Sequence, residues 1–347
     1  MAGLIGWSAG NNTVIDHCFV GATVTNANDF HPAIYKYRTD NPKVTATENY
    51  YCVSGVRITG DGLWSVASGT PVTEEKVKNG FILSVLGTSW AQQLGTDAYP
   101  SLVSESKKKN DNYVYYESRW YTYRFVVNDG NYIPVGLNFM ASIATMNRTM
   151  RKPMIYTVIL PFNWTPTAND NIKVYTLSDA NEAKKVVYFK EAEGNTLEAY
   201  KPYLIVPGGA EDIKCWDVEI KTTPDHAESV SANGVTFNAC YAGMDNATAA
   251  AANAYILQSD KQWRPVTVGT SAKIAPYRAY LTFDNASAAK SYSIAFGDGT
   301  TTGINTIGLE DADGTVRYYD LSGRYVGTSL DDLPHGVYIG NGKKIAK

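Results

Sequence analysis

Histidine and cysteine are scarce in this chain of 347 residues, at four each. General acid-base chemistry draws most often on histidine, yet His17, His31, His226 and His335 are dispersed and fall in no catalytic motif. His17 adjoins Cys18, but neighbours on a strand point to opposite faces, so the two do not make a thiol-imidazole pair. Cys18, Cys52, Cys215 and Cys240 include no C-x-x-C pair, which argues against a zinc site built from cysteines. Two disulfides and four free thiols both remain open, with buried thiols favoured for Cys18 and Cys52.

Other absences narrow the function further. There is no H-E-x-x-H, G-x-S-x-G, G-x-x-x-x-G-K-[ST] or G-x-G-x-x-G, and no carboxylate pair stands out, so neither an enzyme nor a cofactor is expected. Asp311-Ala312-Asp313-Gly314 opens like a calcium loop, but its twelfth position is Ser322 where a bidentate glutamate is needed, and a β-turn is the better reading. No apolar run approaches the 18 residues or so of a membrane-spanning helix. Basic and acidic residues number 31 and 34, and the short run Lys107–Lys109 reads as a solvated turn, so no nucleic-acid partner is expected. The segment Met1–Gly6 lacks the charged and apolar regions of a signal peptide; either a precursor was trimmed or the chain starts inside a longer protein.

What is abundant is tyrosine, 25 residues, with seven tryptophans and 29 glycines, the composition of short strands joined by tight turns. An all-β protein is expected, in four parts: residues 1–69, 70–112, 113–299 and 300–347. Overlaying residues 13–24 on 47–58 matches Cys18 with Cys52, Gly21 with Gly55, Ala22 with Val56 and Val24 with Ile58. Such recurrence suggests the rungs of a β-solenoid. The segments Gly3–Gly10 and Val14–Gly21 resemble the GLUG repeat of bacterial surface proteins. Next come a candidate N-cap, Thr73, two first-turn glutamates, and Val77, Phe81 and Val85 at spacing four, which predict one helix. With Trp90–Pro100, which resembles the segment following GLUG repeats, it would cap the end of the solenoid.

Residues 113–299 hold a second repeat. Leu197-Glu198-Ala199-Tyr200-Lys201-Pro202-Tyr203-Leu204 overlays Ile274-Ala275-Pro276-Tyr277-Arg278-Ala279-Tyr280-Leu281, and upstream Tyr175-Thr176-Leu177 overlays Tyr255-Ile256-Leu257. Two related units, packed as sandwiches, are expected, with the repeated Tyr-[Lys/Arg] pair in a structural role. The cues Met146–Thr149, Ile159–Phe162, Lys201–Leu204 and Tyr277–Leu281 resemble an uncharacterised β-domain of secreted proteins from Bacteroides-type bacteria. Sugar rings stack on flat aromatic faces, which makes Trp216, Trp263, Trp164 and Trp120 the candidate ligand-binding residues.

After a Thr-rich linker, Thr300–Gly303, short strands are expected at Val316–Leu321, Tyr325-Val326, Leu333–Ile339 and Lys343–Lys347, with glycine at the turns. The series Y-D-L-x-G-R, L-P-x-G-V-Y-I and a terminal K-K-I resembles the C-terminal sorting domain of type IX secretion substrates. That resemblance implies export by the secretion machinery to the extracellular space or the outer-membrane surface. The expected protein is a non-enzymatic structural or adhesion protein whose partner is a host or dietary glycan or protein. The alternatives are a carbohydrate-binding module and the accessory part of a larger secreted hydrolase.

Overall fold

A computed structural model describes residues 4–8, 13–25, 27–31, 34–37, 44–58, 69–167, 170–284, 291–297, 318–320, 325–340 and 343–347. Strands dominate, and the protein is all-β. The chain divides into two compact units: Met1–Val127 with Ile133–Thr145 and Lys214–Thr223, and Asn128–Tyr132 with Met146–Ile213 and Pro224–Lys347.

The first unit opens with two coils of four short strands. Strands β1 (Ile5–Ser8), β2 (Thr13–Asp16), β3 (Phe19–Thr23) and β4 (Asp29–Phe30) pair in parallel with β5 (Ile34–Tyr37), β6 (Val44–Thr47), β7 (Tyr50–Ser54) and β8 (Arg57–Ile58), respectively. A short β9 (Thr70–Pro71) adds to β7. The corner after each second strand uses the left-handed region, at His17 (φ 50°) and Glu48 (φ 49°). Buried Asn49 bridges the coils there: its Nδ2 donates to Ile15 O at 2.8 Å and its Oδ1 accepts from Cys18 N at 3.0 Å. Outside, Arg57 of one coil pairs with Asp29 of the other at 2.7 Å.

This register corrects the overlay of Cys18 on Cys52. Cys52 pairs with Gly21, and Phe19 with Tyr50, an offset of 31 rather than 34. An odd difference of three exchanges the two faces of a strand, so the C-x-x-G match was a coincidence of spacing. All four cysteines are free thiols.

The single helix expected after Thr73 is two. Thr73 Oγ1 caps α1 (Glu74–Lys78) by accepting from Lys76 N at 3.3 Å. Gly80 then takes φ 80° and α2 (Phe81–Leu86) starts on a new axis. The break rotates the buried face, so Val77, Ile82, Leu83 and Leu86 are interior while Phe81 and Val85 are only half-buried. Farther on, the Trp90 indole N–H donates to His17 O at 2.9 Å, and the Tyr99 ring lies against Gly21, where a Cβ would stand 2.5 Å from it.

Strands β10 (Trp90–Gln93), β11 (Ser101–Leu102), β12 (Tyr113–Tyr116), β13 (Trp120–Asn128) and β14 (Phe139–Arg151) form an antiparallel run in the order β11-β10-β12-β13-β14, with the segment Ala210–Ile220 beside β14. Tyr113 and Tyr115 are buried in it with Ala91.

The second unit is built twice on one plan. Strands β15 (Tyr156–Val158), β16 (Ile172–Asn181), β17 (Val186–Glu191) and β18 (Tyr203–Pro207) lie in the order β15-β18-β16-β17. After β19 (Ala210–Ile220) and the edge strand β20 (Ser229–Ala232), the plan repeats with β21 (Val235–Cys240), β22 (Tyr255–Leu257), β23 (Gln262–Pro265) and β24 (Arg278–Phe283), in the order β21-β24-β22-β23. A helix, α3 (Asn246–Ala251), capped by Asp245, sits between β21 and β22. Each copy has an isolated bridge at the same place, Trp164 with Leu197 and Met244 with Ile274.

The two copies share one ten-stranded sheet. The single strand β25 (Tyr292–Phe296) lies between β17, to which it is parallel, and β23, to which it is antiparallel. The sheet curls, so Ile159 N, just past β15, donates to Tyr277 O, just before β24, at 3.3 Å. One core fills the concave side, drawing Leu177, Phe189 and Leu204 from the first copy and Phe237, Trp263 and Leu281 from the second. Phe189 and Trp263 occupy equivalent positions, opposite Leu177 and Leu257, and stack at 6.2 Å.

The repeated tyrosines explain the motif found in sequence. Tyr200 (φ 64°) and Tyr277 (φ 58°) are both buried in the left-handed region. Their N–H groups donate across the copy, to Leu160 O at 2.7 Å and Tyr241 O at 3.2 Å. Non-glycine residues hold such backbone only where their surroundings impose it, and here the buried rings do so.

Strands β26 (Tyr318–Tyr319), β27 (Tyr325–Gly327), β28 (Val337–Gly340) and β29 (Lys343–Ala346) form an antiparallel sheet in the order β27-β26-β28-β29. The Tyr338 hydroxyl donates to Pro334 O at 2.7 Å, and Gly336 and Lys347 exchange both backbone hydrogen bonds. The linker Thr300–Gly303, the calcium-like loop Asp311–Gly314, the strand start Val316-Arg317 and the turn Ser322–Arg324 lie outside the described residues.

Candidate functional site

The four candidate tryptophans separate by burial. Trp263 is fully buried and Trp164 is 4% exposed; both are core residues and offer no face to a ligand. Trp120, half-buried, packs edge-on against Tyr116. Trp216 on β19 is 61% exposed, with the Lys214 ammonium 4.3 Å from its ring centroid. Trp120 and Trp216 belong to the first unit, Trp164 and Trp263 to the second.

Among the described residues, no group of three or more His, Cys, Asp or Glu side chains is placed to hold a metal ion, and no helix is long and apolar enough to cross a membrane. His17 bonds its own neighbour, Asp16, at 2.7 Å, while the Cys18 thiol donates to Asp16 O. Burial pushes the Cys240 thiol above its ordinary value, so it is a poor nucleophile.

Two cavities of the second unit are related by the duplication. The first copy has an open groove of 590 Å³ whose lining includes Thr176, Thr196, Glu198 and Lys201. The second has a cavity of 180 Å³ lined in part by Ile256, Lys273, Ala275 and Arg278, the equivalents of those residues in the repeat. The backbone is shared, but the charge is not. In the groove Glu198 pairs with Lys201 at 2.8 Å, and Glu191 pairs with Lys173 at 2.6 Å. In the cavity the position of Glu198 is Ala275, and the carboxylate paired with Arg278 is Asp129 instead.

A second guanidinium lines the same cavity. Arg148, near the end of β14, donates from Nη1 to Thr157 O at 2.9 Å and lies over the Tyr156 ring at 4.8 Å. Among the described residues no carboxylate forms an ion pair with it. Burial first, and then the charge of Arg278, push it down to about 9, so it stays a cation at neutral pH. Ile155, Ile256 and Leu257 supply apolar wall.

In the sequence Arg148 falls within the cue Met146–Thr149, Arg278 within the repeated Tyr-[Lys/Arg] pair, and Lys273 within no motif. The available signal was the exchange of Glu198 for Ala275 between aligned copies, which removes the carboxylate and keeps the cation. Compared with family models, curated proteins and solved structures, the chain matches none.

Proposed function

We propose that this chain is a secreted structural or adhesion protein of the cell surface, without catalytic activity, delivered by its C-terminal tail. The observation that supports this best is the parallel, strand-on-strand stacking of two successive coils, β1–β4 on β5–β8. Stacks of this kind grow in one dimension and present rows of side chains as extended binding surfaces. In this reading residues 1–69 are GLUG-like rungs of a solenoid, α1 and α2 close its end, and residues 300–347 engage the secretion machinery. The destination is the extracellular space or outer-membrane surface, and the partner is a host or dietary glycan or protein.

Fractionation of cells producing the chain with and without residues 305–347 tests the tail. Surface-accessible protein is expected to fall at least tenfold on deletion, and unchanged display rejects the assignment. A carbohydrate-binding module is the second reading, favoured by the exposed face of Trp216. A glycan array that shows specific binding lost in Trp216→Ala would establish it.

A further inference from the structure

The cavity of the second copy concentrates positive charge that the fold leaves largely unneutralised. Arg148, Arg278 and Lys273 line it; Asp129 pairs with Arg278 and its charge also acts on Arg148, so one carboxylate answers three cations. A guanidinium carries five N–H donors, and among the described residues Arg148 spends one, on a backbone carbonyl. Placing a cation in such a position without a counter-ion is unfavourable, and the equivalent position of the first copy shows that the scaffold accommodates a neutralising glutamate, Glu198. A volume of 180 Å³ corresponds to about six water molecules at ~30 Å³ each, enough for a tetrahedral or planar oxyanion with part of its hydration.

We propose that this cavity binds a small oxyanion, a sulfate, phosphate or carboxylate group, between the guanidiniums of Arg148 and Arg278, with exposed Lys273 on its rim. Guanidinium forks match these groups in geometry and charge. Ile155, Ile256 and Leu257 shield one side of the site, so the attraction is stronger there than in open water. Arg148, held by Thr157 O and the Tyr156 ring, is already oriented, so little side-chain freedom is lost on binding. The inference stands apart from the surface-protein reading, because it rests on this cavity alone.

The test titrates the full chain with sodium sulfate, sodium phosphate and sodium glucuronate at constant ionic strength set by chloride, read by calorimetry and by thermal shift. Saturable binding of at least one probe is expected, weakened at least tenfold by Arg148→Gln and at least threefold by Lys273→Gln. Lys201→Gln, at the equivalent position of the first copy, is expected to leave it unchanged. Lys273 is exposed, so its variant folds even where Arg148→Gln does not. A response no greater than that to chloride with all three probes overturns the proposal. So does binding that survives Lys273→Gln unaltered, or that falls equally in Lys201→Gln.

Discussion

The two copies of the second unit share strand order, a buried left-handed tyrosine and a stacked ring, yet one closes its cation with Glu198 of its own repeat and the other with Asp129 from outside the repeat, beside a cavity that also holds Arg148. Backbone plan and charge plan have therefore separated. The plan is maintained by Tyr200 and Tyr277, whose main-chain bonds fix the entry to β18 and β24. The charge plan differs in the carboxylate that answers each cation, Glu198 for Lys201 and Asp129 for Arg278, with Ala275 at the position of Glu198. Duplication thus yields a scaffold on which one face can change its chemistry while its twin stays neutral.

The strongest way to break the comparison is through the shared core. Phe189→Ala and Trp263→Ala are each expected to cost about 3–5 kcal/mol, measured by denaturant unfolding. Because both rings belong to one cluster, each variant should lower a single transition of the unit. Separate melting of the halves would show that they are independent domains. Next comes an exchange of charge: Ala275→Glu should add a second carboxylate beside Arg278, at the position Glu198 holds beside Lys201, reducing oxyanion affinity about tenfold, or about 1.4 kcal/mol.

A smaller effect concerns alkaline stability. Burial, reinforced by Glu191, raises the Tyr175 hydroxyl to about 12. A raised folded value means that its contribution is complete below the unfolded value of about 10 and is lost as pH climbs to about 12. Tyr175→Phe should flatten part of that decline in thermal melts between those limits. The least effect is expected from Glu198→Ala. Its ion pair is exposed and should be worth less than about 1 kcal/mol, so a larger loss in urea unfolding would mean that the first copy depends on its neutral groove.

How much was legible in the sequence followed from how local each constraint is. The duplication could be read because Tyr200 and Tyr277 meet the same demand, a buried ring at a left-handed corner before a strand. Coil register could not, because Cys18 and Cys52 mimic a rung, whereas Asn49 and the corners at His17 and Glu48 set the true alignment through backbone bonds. The helix was legible at Thr73, and its break is marked by the turn dipeptide Asn79-Gly80, which the spacing of Val77, Phe81 and Val85 masks. Burial of Trp263 depends on which face of β23 meets the curl of the ten-stranded sheet, whereas Trp216 lies on β19 of another sheet and is exposed. The cavity joins Arg148, Thr157, Leu257 and Lys273, far apart in the chain, and no motif brings such residues together.

Strand β25 has a consequence for assembly. Since it runs parallel to β17 and antiparallel to β23, those two strands run opposite to each other, as a rotation by half a turn about an axis through β25 requires. The halves meet as protomers of an isologous dimer do, with one unduplicated strand wedged along the seam. That wedge occupies two edges at once, each of which would otherwise recruit a strand from another molecule. A chain ending before Tyr292 would expose both edges, and its natural remedy would be to borrow the missing strand from a neighbour.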